Sequence, residues 1–90
     1  MAVVAFFDVE GADSTKYEEV IRRLTEMGLK DPDGQIVHLS YGDTNRLQVI
    51  EVFESQDKLN AFGAKLMPIL KEVGIEAKPT VFDVYKIITK

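Results

Sequence analysis

The most restrictive feature of this sequence is the alternation of short β-type apolar runs with two longer amphipathic helical patterns. Four segments have the β-branched and aromatic content of strands: residues 2–9, 35–41, 46–54 and 80–88. Two others carry apolar residues at helical spacing with charged residues around the rest of the wheel: residues 13–28 and 56–74. The predicted order is therefore strand, helix, strand, strand, helix, strand.

This order predicts an α+β fold of the ferredoxin-like, split β-α-β type. Right-handed crossovers place both helices on one face of a four-stranded antiparallel sheet, with the first and third strands at its centre. The 90 residues are enough for a single domain that spans 1–90.

The ends of both helices can be predicted from capping residues. Asp13 or Ser14 can accept hydrogen bonds from the first turn of the first helix, and Ser55 can do so for the second. Gly74 is a plausible stop for the second helix. Pro68 lies inside that helix, where it removes a backbone donor, so we expect a kink or a break into two pieces there.

The strands have more apolar side chains than two helices can cover. The third strand is apolar on both sides, with Leu47, Val49 and Phe53 on one side and Ile50 and Val52 on the other. A half-solvated antiparallel sheet would alternate apolar with polar residues. Each large apolar side chain left in water forgoes about 1.5–3 kcal/mol. We therefore expect the open face to pair with a second copy of the chain; the alternative is ordinary scattered surface apolar residues.

Composition excludes several classes of function. The net charge is −4 and the basic residues form no cluster, so a nucleic-acid partner is not expected. There is no cysteine and one histidine, so no metal site is expected. The chain has no glycine-rich nucleotide motif, no nucleophile elbow, and no signal-peptide or membrane-span pattern. We expect a cytoplasmic protein with no membrane association.

The stretch LQVIEVFES, followed by the pattern F…LMPIL…G, resembles the dimeric α+β-barrel superfamily, and within it the small proteins of antibiotic-biosynthesis-monooxygenase type. The resemblance implies that two sheets pack face to face into a barrel, and that each subunit keeps a pocket between sheet and helices. Members include cofactor-free oxygenases of polycyclic aromatics, haem-degrading enzymes and lactone isomerases. Haem-degrading members use a tryptophan, which this chain lacks, so no cofactor is expected.

His38, the single histidine, is the candidate general base. With a four-residue loop, Tyr41 lies opposite Arg46 and His38 lies opposite Val49, diagonal to Glu51. A carboxylate near the imidazole favours its protonated form and sets its tautomer. A loop one residue shorter or longer would send His38 to the other face. The alternative is an edge-strand imidazole satisfied by a neighbour.

Other side chains are candidates for ligand binding beside His38. They are Tyr41 and Tyr85, whose hydroxyls seek partners when buried, together with Glu51 and Phe53. The tyrosines could instead line an interface or cover a core, and Glu51 could pair with Arg46 or Lys86. Tyr17 is interpreted as a core aromatic.

Three functions remain open. The first is binding of a small apolar or aromatic metabolite in a pocket between sheet and helices. The second is a cofactor-independent monooxygenase or isomerase with His38 as general base. The third is a purely structural homodimer. A pocket that contains His38 and a tyrosine hydroxyl would favour the first two, and a solid core would favour the third.

Overall fold

The secondary structure follows the predicted order over residues 1–90, all of which are described by the computed structural model. The strands are β1 (Val3–Asp8), β2 (Gln35–Asp43), β3 (Arg46–Phe53) and β4 (Thr80–Asp83), and the helices are α1 (Ser14–Glu26) and α2 (Gln56–Val73). The strands form one antiparallel sheet in the order β2-β3-β1-β4. The prediction of a ferredoxin-like α+β fold, with β1 and β3 central, is confirmed.

Both helices begin, and α2 ends, as the capping residues predict. Asp13 and Ser55 each accept a hydrogen bond from the backbone N–H three residues ahead, at 2.9 Å and 3.2 Å. Gly74 ends α2 in the left-handed conformation with φ of 92°. Neither helix combines the length and apolar character needed to cross a membrane.

Pro68 does not divide α2, which runs unbroken from Gln56 to Val73. This corrects the expectation of a break into two pieces. Proline removes one backbone donor, so the carbonyl of Ala64, four residues earlier, loses its helical partner. Ala64 and Pro68 are both exposed, so water can satisfy that carbonyl.

The fourth strand is shorter than predicted, because its pairing partner ends. Asp83 lies opposite Val3, which is the first residue of β1. One further hydrogen bond joins the Val84 N–H to the Ala2 carbonyl at 2.9 Å. The apolar pattern that continues to residue 88 therefore has no strand to pair with inside this protomer.

The helices cover one face of the sheet and leave the other open. On the covered face Val3, Ala5 and Phe53 are buried against the apolar stripes of α1 and α2. On the open face Leu39, Tyr41 and Phe82 are exposed to solvent. Not every side chain on the open face is exposed to solvent, since Val52 is buried there.

Candidate functional site

The β2–β3 hairpin brings His38 directly opposite Glu51. Asp43 pairs with Arg46, so the loop contains two residues, Thr44 and Asn45, and not the four that were expected. The pairing therefore differs from the expected register by two residues. Because strand side chains alternate with a period of two, this shift keeps His38 on the same face and turns a diagonal neighbour into a direct one.

A β-bulge near the start of β2 adds Gln35 to the same site. The partner of Gln35 is Phe53 and that of Val37 is Val52, so Ile36 is an extra residue. In a regular strand without the bulge, Gln35 and His38 would point to opposite faces of the sheet, since they are three residues apart. With it, both lie on the helix-covered face, and the Gln35 Nε2 donates to Glu51 Oε2.

The N-terminal end of α1 supplies a third partner, Tyr17. Two backbone hydrogen bonds tie this end of the helix to the hairpin, from Ser14 N–H to the Thr44 carbonyl at 2.7 Å and from Leu47 N–H to the Ala12 carbonyl at 2.8 Å. The Tyr17 Oη then lies 2.7 Å from His38 Nε2. The two rings stack, with centroids 6.0 Å apart and planes inclined by 30°.

The result is a polar cluster of Tyr17, His38, Glu51 and Gln35. Glu51 Oε1 bonds to His38 Nδ1, and both carboxylate oxygens have partners although the side chain is only 5% exposed. The hydrogen bond to Glu51 raises the pKa of His38 above its ordinary value of 6.5; partial burial opposes the rise and the charge of Glu51 adds to it. The His38 side chain remains 29% exposed, so it can exchange protons with a ligand or with water.

The polar cluster lines a cavity of about 330 Å³ between the sheet and the helices. This volume lies within the range of about 300–1,000 Å³ that small-molecule sites occupy. Most of the lining is apolar, and includes Phe7, Val20, Leu24, Val49, Phe62, Leu66 and Leu70. At the loop after α1, Lys30, Asp31 and Pro32 complete the wall. A ligand in this space would meet a mainly apolar surface whose polar parts are the polar cluster and, in the loop after α1, Lys30 and Asp31.

The cluster has the parts needed for proton transfer. When His38 is neutral, the carboxylate favours the tautomer with the proton on Nδ1, so the lone pair of Nε2 is directed toward the Tyr17 hydroxyl. A base oriented by a carboxylate and bonded to a hydroxyl is the arrangement that general acid–base catalysis uses. No group of three or more His, Asp or Glu side chains converges as metal ligands would.

The structure does not bring the other predicted ligand-binding residues to the cavity. Phe53 is fully buried in the core and stacks on Phe62 at 5.4 Å between centroids. Tyr41 lies opposite Gln48 on the open face. Tyr85 follows the end of β4 and is 98% exposed. Arg46, one of the two basic residues suggested as a partner of Glu51, instead bonds to Asp8 at 3.0 Å.

Two members of the cluster were not identified from the sequence. Tyr17 was interpreted as a core aromatic, although a hydroxyl on the buried stripe of a helix needs a hydrogen-bond partner. That requirement is the signal that could have linked it to His38. Gln35 carries no such signal, because only the bulge places it on the same face as His38.

Comparison with known proteins identifies the fold. No protein-family model and no curated protein sequence matches the chain. Rv0793 from Mycobacterium tuberculosis superposes with a TM-score of 0.74 at 15% identity, over 99% of this chain and 100% of that one. SnoaB, a cofactor-independent oxygenase from Streptomyces nogalater, superposes with a TM-score of 0.62 at 18% identity, over 99% of this chain and 96% of that one.

A third structure, a candidate antibiotic biosynthesis monooxygenase from Deinococcus radiodurans, gives a TM-score of 0.62 at 13% identity, over 100% and 98% of the two chains. The chain has the same ferredoxin-like α+β fold as these three proteins. The resemblance inferred from LQVIEVFES is thus confirmed at the level of architecture. Identities this low concern the fold alone, so the chemistry of this member of the fold depends on its own polar cluster.

Proposed function

We propose that this protein binds a small, mainly apolar aromatic metabolite in the cavity, and that His38 acts as the base that accepts a proton from it. The observation that carries this proposal is the hydrogen-bonded chain from Tyr17 through His38 to Glu51 on the cavity wall. An apolar ligand with one acidic proton matches an apolar cavity with one basic corner.

The environment of His38 suits this role. The base works best when its pKa lies near the working pH, and the Glu51 carboxylate raises that pKa from its ordinary value. The apolar walls reduce access of water, so charges that develop on the ligand are screened less than in solution. Glu51 also stabilises the imidazolium that forms when His38 takes the proton.

Removal of the proton leads to two related reactions, neither of which needs a bound cofactor. The ligand anion can be reprotonated at another carbon, which is an isomerisation. It can also transfer electrons to dioxygen: a ligand CH₂ group and one O₂ then give a ketone and one water, with carbon oxidised and oxygen reduced. We favour the second route, because a cofactor-independent oxygenase has this fold.

The test measures deprotonation of a bound ligand through the change in the ligand's absorbance. Anthrone, whose enolate absorbs at longer wavelength than the neutral form, is mixed with the protein without oxygen and then in air. We expect the wild type to produce the enolate band and then to consume oxygen, and His38→Gln to bind anthrone without either effect. An equal enolate band in both proteins would exclude His38 as the base.

We also propose that the protein acts as a homodimer through its open sheet face. Large side chains are exposed on both edge strands of that face, Leu39 and Tyr41 on β2 and Phe82, which is 57% exposed, on β4. Their burial against a second copy would recover apolar surface that the helices do not cover. Solution mass by light scattering tests this assembly independently of the cavity.

A further inference from the structure

The Tyr17 hydroxyl is hydrogen-bonded to the ring nitrogen of His38 that Glu51 does not engage. Glu51 engages Nδ1, and the Tyr17 Oη lies 2.7 Å from Nε2. Because both ring nitrogens have partners, His38 has no unoccupied lone pair for a ligand. A ligand in the cavity therefore meets the oxygen of Tyr17, which also lines it.

The hydrogen-bonding sense of Tyr17 depends on the charge of His38. When His38 is neutral, the Tyr17 O–H donates to Nε2, and its oxygen can accept a hydrogen bond from a ligand. When His38 is protonated, Nε2–H donates to the Tyr17 oxygen, and the Tyr17 O–H becomes available to donate. The same side chain thus presents an acceptor in one state and a donor in the other.

We infer that the Tyr17 hydroxyl is the polar contact of the ligand, and that protonation of His38 switches the preferred ligand from a hydroxylated aromatic to an aromatic ketone. This rests on the proposed function, because it concerns the same cavity. In the reaction, a ligand proton passes to the Tyr17 oxygen while the proton of Tyr17 passes to His38 Nε2. No net charge is left on Tyr17.

The surroundings of His38 contain few other groups that could produce a switch of this kind. Glu51 on β3 and the Tyr17 phenol on α1 are the ionisable groups bonded to it. Lys30 and Asp31 in the loop after α1 also line the cavity, with opposite charges. β1 and α2 contribute apolar side chains to the wall. A change in ligand preference between pH 5 and 8 therefore points to His38.

The experiment compares two probes that share one ring system, 2-naphthol as a donor and 2-acetylnaphthalene as an acceptor. Their dissociation constants are measured between pH 5 and 8 by titration calorimetry. We expect the ratio of the two constants to change by about fivefold or more across the pKa of His38, which is the effect of gaining one hydrogen bond and losing another. Below that pKa the ketone should bind more tightly relative to the naphthol, and above it the naphthol should bind more tightly relative to the ketone.

Variants identify the residue that is responsible. Tyr17→Phe should bind both probes with a ratio that no longer depends on pH, whereas Tyr41→Phe, which removes a hydroxyl from the opposite face, should behave as the wild type. Glu51→Gln should move the midpoint of the ratio to lower pH, together with the His38 pKa measured by NMR. This second variant tests the switch if Tyr17→Phe does not fold.

The outcomes separate the two proposals. If Tyr17→Phe keeps the pH-dependent ratio, His38 contacts the ligand itself, and the role inferred for Tyr17 is wrong while the proposed function stands. If the wild type binds both probes with a ratio independent of pH, the switch is also wrong. If the wild type binds neither probe nor anthrone, the proposed ligand class is wrong and the inference fails with it.

Discussion

Each face of the sheet carries one pair formed by a basic and an acidic side chain, and the two pairs differ in their exposure to water. On the helix-covered face, Glu51 is buried and bonds to His38 beside an apolar cavity. On the open face, Asp8 and Arg46 form an ion pair at 3.0 Å with both side chains well exposed. Water screens the second pair, so it contributes little to stability. The first pair is largely buried, and the hydrogen bond with Glu51 raises the pKa of His38 although burial opposes that rise.

The two pairs therefore differ in their exposure to water, and only the buried pair lies beside the cavity. The helix-covered face combines a dense core with one satisfied polar cluster. The open face has exposed apolar side chains and an exposed ion pair. We expect changes on the first face to affect stability and proton transfer, and changes on the second to affect association.

The largest expected effect comes from Phe53→Ala. Truncation of this fully buried ring should lower the free energy of unfolding by about 3–5 kcal/mol, because it removes core contacts and leaves a cavity. Denaturant unfolding measures the loss. Phe82→Ala is the matched control on the open face; its loss should be smaller and should depend on protein concentration, since the proposed dimer would bury this side chain between subunits. Equal and concentration-independent losses would remove the distinction between the faces.

Leu39→Lys tests the association of the open face. Two-fold symmetry would place the new charge in the interface twice, so the dissociation constant of the dimer should rise by at least about a hundredfold. Light scattering over a dilution series measures it. Met27→Lys, which alters an exposed apolar residue at the end of α1, should leave the mass unchanged. A wild type that stays monomeric at high concentration would contradict the dimer.

Glu51→Gln tests the electrostatic difference between the two pairs. The NMR titration of His38 should show a pKa above 6.5 in the wild type and a lower one in the variant, because the main cause of the rise is removed. Asp8→Asn, the same change on the open face, should leave the His38 titration unaltered. An unchanged pKa in Glu51→Gln would show that the carboxylate does not act on His38.

The same pair predicts how stability depends on pH. A histidine whose pKa is raised by folding stabilises the native state fully below its unfolded value of about 6.5, and this contribution is lost as pH rises through the higher folded pKa. The difference in unfolding free energy between wild type and Glu51→Gln should therefore be larger at pH 6 than at pH 8. A difference that grows with pH would contradict the assignment.

The smallest effect is expected for Asp13→Ala. Loss of this N-cap should cost about 1 kcal/mol of unfolding free energy, as should loss of the equivalent cap in Ser55→Ala. Asp13 caps the helix end that carries Tyr17, so only Asp13→Ala should also shift the NMR signal of the His38 ring. Equal shifts in the two variants would indicate a general loosening and not a local one.

Several of these elements could be predicted from residue patterns, since they depend on neighbours in the chain. Ser55 caps α2 because its side chain reaches an amide three residues ahead. β4 was predicted too long for the opposite reason: its end depends on Val3, which is far away in the chain. Helix α2 continues through Pro68 because that turn is exposed, which the local sequence does not show.

The polar cluster was predicted in part. His38 and Glu51 were placed on one face because alternation along two paired strands has a period of two, and the error of two residues in the loop preserved it. Tyr17 and Gln35 were not included. Their positions depend on the packing of α1 over the hairpin and on the bulge at Ile36, and neither follows from a local pattern.

The order of the elements and the division of the sheet into two apolar faces could be read from the residue pattern, because both follow from side-chain periodicity along a single segment. The meeting of four polar side chains at one corner of the cavity depends instead on tertiary packing; they are Tyr17, Gln35, His38 and Glu51. They come from α1, β2 and β3, and their contacts depend on register, a bulge and two backbone hydrogen bonds between distant segments. Those features are set when the elements pack against each other.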